Sequence, residues 1–197
     1  MNDIKFDPKK LQKLNNPARL ADIPLDEIQR RLPLEPHKVI VDLGAGTAFF
    51  SVAFLERFNP ETIYACDLSE TMIQWIRENV CPAHPRIKAI QTRESAVPLD
   101  DGVSDLIFMI ALHHELENPS RFMDEAFRLL KPGGQVLIVD WLRKQMTEGP
   151  PVEIRCLPET VRVQLTQAGF IRVRVHPNLT KHFMVTGEKD KEGLGCP

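Results

Sequence analysis

The chain has 197 residues, 43% of them hydrophobic, with Lys+Arg 25 against Asp+Glu 27 for a formal net charge of -2 at pH 7. That length suits one domain with room for a full core, and the balanced charge excludes the broad basic field that drives non-specific nucleic-acid binding. The four cysteines, Cys66, Cys81, Cys156 and Cys196, follow no C-x-x-C or His/Cys spacing, so neither a metal site nor a disulfide framework is expected.

Residues 1–36 are mixed in charge and broken by Pro8, Pro17, Pro24, Pro33 and Pro36, so short helices separated by turns are expected. Leu25, Ile28 and Leu32 form one apolar stripe after Pro24, a favoured first-turn residue, and predict a helix there. Residues 13–20, KLNNPARL, are less regular and read either as an arm folded over a cleft or as a packing segment on the sheet edge. The opening MNDIKFDPKK has no apolar run of leader length, and the longest apolar run, residues 106–112, is too short to cross a bilayer; a soluble, cytoplasmic protein is expected.

From His37 onward, β-branched runs alternate with helical stripes. Val39, Ile40 and Val41 lack polar alternation, which suits a strand covered on both faces. Phe50, Ala53, Phe54 and Phe58 then recur at helical spacing. Residues 63–67 read as a second strand, and Met72, Ile73, Ile76 and Val80 as the stripe of the next helix, with Ser69 placed to cap it. Cys66, inside that strand, reads as a small buried hydrophobe. Third and fourth strands are expected at 87–91 and 106–112. Asn118-Pro119 opens a helix with Phe122, Met123, Ala126, Leu129 and Leu130 on its inner face, and Lys131-Pro132-Gly133-Gly134 stops it before a fifth strand at 136–141.

Residues 141–157 contain Gly149-Pro150-Pro151 and no period, a connection of the length that is more often functional than idle. A helix from Pro158 through Val161, Leu165 and Ala168 ends at Gly169, and strands at 171–176 and 182–186, joined through Pro177-Asn178, close the chain as a hairpin. The organisation expected is a helical arm or lid at 1–36, an α/β domain at 37–187 and a flexible tail at 188–197. The β-α-β alternation implies a doubly wound, Rossmann-like, mostly parallel seven-stranded sheet ending in an antiparallel hairpin.

The stretch 39–51, VIVDLGAGTAFFS, is where ligand chemistry is expected. Gly44 and Gly46 allow a tight turn and a close backbone approach, and they deliver the positive end of a helix to whatever binds. A dinucleotide would need a third glycine where Phe49 stands, and its pyrophosphate would be repelled by Asp42. An acidic residue there suits a ligand that is cationic at that point. Roughly twenty residues further on, Asp67 stands where nucleoside-binding sheets place a carboxylate for ribose hydroxyls; it can also cap the helix after Ser69.

In these residues the chain resembles the class I S-adenosylmethionine-dependent methyltransferases, whose first motif is an acidic residue followed by alternate glycines. Asp42, Gly44 and Gly46 match it, with Ala48 where the family usually has a third glycine. The resemblance implies that Asp67 takes the ribose, that Leu68 and Met72 pack on the adenine, and that Arg93 or Glu94, with Glu94 favoured, meets its amino group. Ala111, at the end of the fourth strand, is expected to contact the cofactor, and Asp105 to play a structural part. LKPGG at 130–134 and the closing hairpin extend the match over residues 37–187. The arm, and the GPP and AGF patterns between 149 and 170, look like small prokaryotic members of the type 11 group.

The fourth strand ends in His113, His114 and Glu115, expected to face the same crevice because ligands bind where strand order reverses. His114 is the candidate general base, Glu115 its orienter and His113 a substrate contact. No metal is expected from the three, since adjacent side chains diverge. The implied reaction is in-line transfer of a sulfonium methyl to a small-molecule acceptor, with the arm and the 142–157 loop excluding water; acceptor and oligomeric state stay open. A non-catalytic S-adenosylmethionine-binding regulator, suggested by Ala48, and an NAD-binding oxidoreductase are the rivals. The residues for nucleic-acid methylation are missing: no Asn/Asp-Pro-Pro-aromatic motif follows strand four, and Cys81-Pro82 reverses the Pro-Cys order and lies before strand three. Thiol-based metalloid chemistry at Cys81 and Cys156 is a minor alternative.

Overall fold

The computed structural model describes residues 11–32, 37–94, 96–177 and 179–191; Pro8, Pro33, Pro36, Asn178 and Cys196 lie outside these, with the outer parts of the arm and tail. Seven strands, β1 (Val39–Leu43), β2 (Thr62–Asp67), β3 (Ile87–Gln91), β4 (Ser104–Ile110), β5 (Leu130–Trp141), β6 (Ile171–His176) and β7 (His182–Glu188), form one sheet. Its order is β3-β2-β1-β4-β5-β7-β6. The first five strands pair in parallel, and β7 is antiparallel to both of its neighbours. Strand order reverses between β1 and β4, which opens a crevice at their carboxyl ends.

Helices cover both faces, as the unbroken apolar strands require. Ile40, Leu106, Phe108, Leu137 and Val139 face one side, packing with Phe54 of α4 (Phe49–Phe58) and with Ile73 and Ile76 of α5 (Glu70–Asn79). Val41, Ile107, Met109, Val136 and Ile138 face the other, with Met123 and Leu129 of α6 (Pro119–Leu129) and Val161 and Leu165 of α7 (Pro158–Gln167). Consecutive residues of one strand thus serve two cores. Phe54 stacks on Phe108 with ring centroids 4.0 Å apart, and each such fully buried side chain contributes roughly 1.5–3 kcal/mol through removal from water.

Three short helices precede the sheet: α1 (Leu11–Leu14), α2 (Ala18–Asp22) and α3 (Leu25–Gln29). Ile23, Ile28 and Leu32 belong to the α4-side core, so the second half of the expected arm is part of the domain's packing. At the other end, β7 continues through Glu188. The Lys189 ammonium donates to the carbonyls of Phe127 and Leu130, and its backbone pairs with Gly133 and Gly134, so the chain is held beyond the expected boundary at 187.

Several strand limits differ from expectation, and two of the differences have a visible local cause. β4 stops at Ile110 because Ala111 adopts φ 57, a left-handed conformation that cannot continue a strand. Leu130, expected on the helix, already pairs with Ser104, and the register then jumps to Leu106 opposite Gln135. The Lys131–Gly134 turn is therefore a bulge within β5. Asp105 is structural, as the resemblance implied: it accepts from the Val39 amide at 2.7 Å and from the Lys131 ammonium at 2.8 Å.

Candidate active site

The glycine loop is shaped by its backbone. Gly44 and Gly46 have φ +75 and +55, values open to glycine without a Cβ penalty. The amides of Gly44 and Ala45 both donate to the Cys66 carbonyl at 2.9 Å, which fixes the loop to the end of β2. A Cβ on Gly44 would lie 2.6 Å from Leu112 Cδ1, and one on Gly46 2.8 Å from Leu14 Cδ1. Ala48 itself is left-handed at φ 60 and fully buried, a conformation that costs an L-residue about 1–2 kcal/mol. The strain explains why a third glycine is the more comfortable choice there.

Asp67 holds two backbone amides, one of them at the start of the helix it was expected to cap. One carboxylate oxygen accepts from the Gly46 amide at 2.7 Å and the other from the Ser69 amide at 2.8 Å. It thereby joins the loop to the start of α5, where the Ser69 hydroxyl accepts from Met72. Asp42 is buried behind the loop and accepts from the Ser51 hydroxyl at 2.6 Å. Burial pushes its carboxyl up to about 7, against the opposing pull of that hydrogen bond.

These groups open onto one crevice of about 920 Å3. Asp42, Gly44, Gly46, Asp67, Leu68, Met72, Glu94 and Ala111 all line it, so each expected cofactor contact reaches the same space, as do Arg93 and Glu115. Arg19 of α2 lines it too, a residue the sequence pattern did not single out. Its guanidinium lies 4.6 Å from the Phe50 ring centroid and donates to the Leu14 carbonyl at 2.7 Å. Burial lowers it to about 10, and the facing Asp42 opposes that shift. Its only sequence signal was its place in the irregular KLNNPARL segment, which does fold over the crevice through Leu14 and Arg19.

The two histidines are placed differently from expectation, because neither is a lining residue. His113, expected to touch substrate, points away toward α7, with Nε2 2.7 Å from Gln164 Oε1 and Nδ1 3.2 Å from Cys156 Sγ. Burial lowers its pKa and raises the Cys156 thiol to about 12. A neutral imidazole donating from Nε2 and accepting the thiol proton at Nδ1 satisfies all three side chains. Cys81 donates instead to the Ile87 carbonyl beside the α4-side core, while Cys156 packs against the opposite one. The two thiols sit on opposite faces of the sheet and share no site.

His114 is gripped by Asp140, the last carboxyl of β5 and another residue the sequence reading passed over. Asp140 Oδ2 accepts from the His114 amide at 3.1 Å, and Oδ1 stands 2.8 Å from its Nδ1 and accepts from the Trp141 amide at 2.6 Å. Nε2 of His114 faces Glu115 Oε1 at 3.6 Å. Burial acts to lower the His114 pKa, but the Asp140 and Glu115 contacts outweigh it and the net shift is upward. The order is thus the reverse of the expected one: Glu115 lines the crevice and His114 stands behind it. The signal for Asp140 was a single carboxyl ending an apolar strand, the same signal that marked Asp42.

The 142–157 loop, expected as a lid, contributes no lining residue among those described. Arg155 organises it from within, donating to the carbonyls of Leu142, Lys144, Glu148 and Pro150. Lys181 then ties that loop to the arm, pairing with Glu148 at 2.6 Å and Asp22 at 2.9 Å.

Residues 41–138 match the model of a methyltransferase domain family, the type 11 group. A malonyl-[acyl-carrier protein] O-methyltransferase of Marinomonas sp. is 29% identical over 137 residues, covering 70% of this chain and 50% of that protein. A ubiquinone/menaquinone biosynthesis C-methyltransferase of Hydrogenovibrio crunogenus is 24% identical over 111 residues, 55% of this chain and 44% of that one. The chain spans about half the length of the curated relatives it matches. The crystal structure of a SAM-dependent methyltransferase from Aquifex aeolicus is 31% identical and superposes with a TM-score of 0.85 over 93% of this chain and 99% of that one. Likeness that runs through both chains almost end to end, around a loop that already selected against pyrophosphate, leaves one assignment: the chain belongs to the class I S-adenosylmethionine-dependent methyltransferases.

Proposed function

We propose that this chain transfers a methyl group from S-adenosylmethionine, in line, to a small-molecule acceptor. The observation that carries the reading is the charge pattern of the crevice, with the Asp42 carboxyl and the Arg19 guanidinium at one end and the Asp67 carboxyl at the root of the glycine loop. That pattern complements an amino acid joined to a nucleoside with no phosphate between them. Asp42 meets the ammonium end, Arg19 holds the carboxylate, and Asp67 keeps lone pairs for ribose hydroxyls beyond the two amides it already accepts. Leu68 and Met72 offer apolar contact to a base, with Arg93 and Glu94 at its polar edge.

When bound, the cofactor supplies a methyl group on a sulfonium, so the leaving group is already activated. The residues therefore contribute mainly alignment, worth up to roughly 7–11 kcal/mol where the geometry is held. Leu14 and Arg19 of the arm cover the crevice and exclude water. Glu115 on the crevice wall, with His114 behind it, handles a proton if the acceptor carries one. Relatives named as a malonyl-[acyl-carrier protein] O-methyltransferase and a ubiquinone/menaquinone biosynthesis C-methyltransferase support a small acceptor group, and the reading extends to a cytoplasmic setting.

Isothermal titration with S-adenosylhomocysteine tests it. The intact chain should bind, and Asp67→Ala and Arg19→Gln should each weaken binding by about tenfold to a hundredfold, the value of a charge-assisted hydrogen bond. Absence of binding, or unchanged affinity in Asp67→Ala, would overturn the assignment of the crevice.

A further inference from the structure

Part of the crevice wall is carried on a segment that the core holds only loosely. Leu14 and Arg19 line the crevice from α1 and α2, yet α2 contributes no buried residue, and its Leu20 only leans on the α4-side core. Anchoring begins immediately afterwards, at Ile23 and Ile28, which are 2% and 0% exposed. The joint between the two is Ile23-Pro24, at φ -131, ψ 75 and φ -68, ψ 128, outside any helix. Pro24 has no N–H, so no amide at that residue ties α3 back to α2. Two non-helical residues beside a fixed side chain are what a hinge needs.

Residues 11–22 are held down by a short set of contacts. Leu14 sits on the glycine loop at Gly46, the Arg19 guanidinium lies 4.6 Å from the Phe50 ring centroid, and the Asp22 carboxylate pairs with the Lys181 ammonium at 2.9 Å. Lys181, just before β7, is itself firmly mounted. The Leu142 amide donates to its carbonyl at 3.0 Å, the Lys144 ammonium donates to the Thr180 carbonyl at 3.1 Å, and Glu148 pairs with the Lys181 ammonium at 2.6 Å. Arg155 in turn donates to the Glu148 carbonyl at 3.0 Å. The 142–157 loop, which supplies no lining residue among those described, therefore acts as a post that holds Lys181 within reach of Asp22.

We propose that residues 11–22 are a gate for exchange of the cofactor, hinged at Ile23-Pro24 and latched to Lys181 through Asp22, with Glu148 positioning the latch. What passes the gate rests on the cofactor reading above; the gate itself does not. When shut, it lays Leu14 and Arg19 across the end of the crevice where Asp42 is buried, so a ligand that reaches both Asp42 and Arg19 enters and leaves as they lift. The Lys181 and Asp22 side chains are 25% and 23% exposed, so the latch is weak enough to open and salt weakens it further. Asp22, Lys181 and Glu148 do not line the crevice. The latch therefore acts alike on the empty and the loaded chain, and its loss speeds entry and exit by the same factor.

Exchange of tritiated S-adenosylhomocysteine, followed by rapid mixing and by chase with unlabelled ligand, tests the gate. Asp22→Asn and Lys181→Met should each raise the association and dissociation rate constants together, by about twofold to fivefold, the range of a partly exposed ion pair, while Kd holds within about twofold. The two substitutions combined should do no more than either alone. Lys181→Arg should exchange like the intact chain, and Glu148→Gln should give a smaller rise that vanishes in the Lys181→Met background. Added salt should quicken exchange in the intact chain but not in Asp22→Asn. Unchanged rates in Asp22→Asn and Lys181→Met overturn the gate, and so does a rise in dissociation alone with affinity lost in proportion, which would make Asp22 an ordinary contact. Trypsin cleavage after Arg19 reads the gate without ligand: it should be faster in Asp22→Asn by the same factor, and equal cleavage overturns the gate. A chain that never binds S-adenosylhomocysteine, yet is cleaved faster as Asp22→Asn, would overturn the cofactor reading and uphold the gate.

Discussion

The two walls of the crevice are built by different rules. On the β1–β2 wall the polar work is done by backbone: the amides of Gly44 and Ala45 meet the Cys66 carbonyl, and Gly46 meets Asp67, only 21 residues away. On the β4–β5 wall it is done by side chains from distant segments, His114 with Asp140 across 26 residues and His113 with Gln164 across 51. A backbone-built wall depends on which residues tolerate a conformation, so one methyl group can destroy it. A side-chain wall depends on which partners meet, so its members can be exchanged or silenced one at a time.

Gly44→Val is the strongest test of that contrast. A β-branched side chain at φ +75, pressed against Leu112, should cost about 2–4 kcal/mol of stability and abolish measurable binding of S-adenosylhomocysteine by calorimetry. Adding Leu112→Ala should restore part of the stability by making room but not the lost conformation. Normal binding by the single variant would mean that the loop is not backbone-limited.

His113→Ala probes the other wall and should do less. It leaves Gln164 and the Cys156 thiol without their shared partner, for about 1–3 kcal/mol in denaturant unfolding, while cofactor affinity and kcat hold. A fall in kcat at unchanged stability would return His113 to the acceptor site.

The smallest effect is a proton count. With Asp42 raised to about 7, its carboxyl is divided between acid and base forms at neutral pH. A ligand ammonium favours the base form, so binding of S-adenosylmethionine should release about half a proton at pH 7 and almost none near about pH 9, where the group is already ionised. Titration calorimetry in buffers of different ionisation enthalpy reads this directly. No release at pH 7, or the same release in Asp42→Asn, would remove Asp42 from the ligand's neighbourhood.

Much of this was legible in the chain. Unbroken β-branched runs dictated buried parallel strands, Ser69 and Asn118 marked helix starts that their side chains do cap, and every residue assigned to the cofactor from the glycine loop and the family resemblance lines the crevice. Errors clustered where the backbone broke rank. Ala111 turns left-handed and ends β4 early, and nothing in its side chain announces it. The order of His114 and Glu115 was misjudged because a short 3-10 turn at His113–Glu115, with no strand continuing through it, sets which of three neighbours faces inward.

By itself, then, the sequence determined the sheet, its two covered faces and the chemistry of the glycine loop, because hydrophobic period and glycine placement act over a few residues. Only the tertiary structure decided that Arg19 enters the crevice, that Asp140 grips His114 and that His113 turns to Cys156 and Gln164. Those pairings join segments far apart in the chain, and a carboxyl's partner is chosen by which element packs beside it rather than by which residue precedes it.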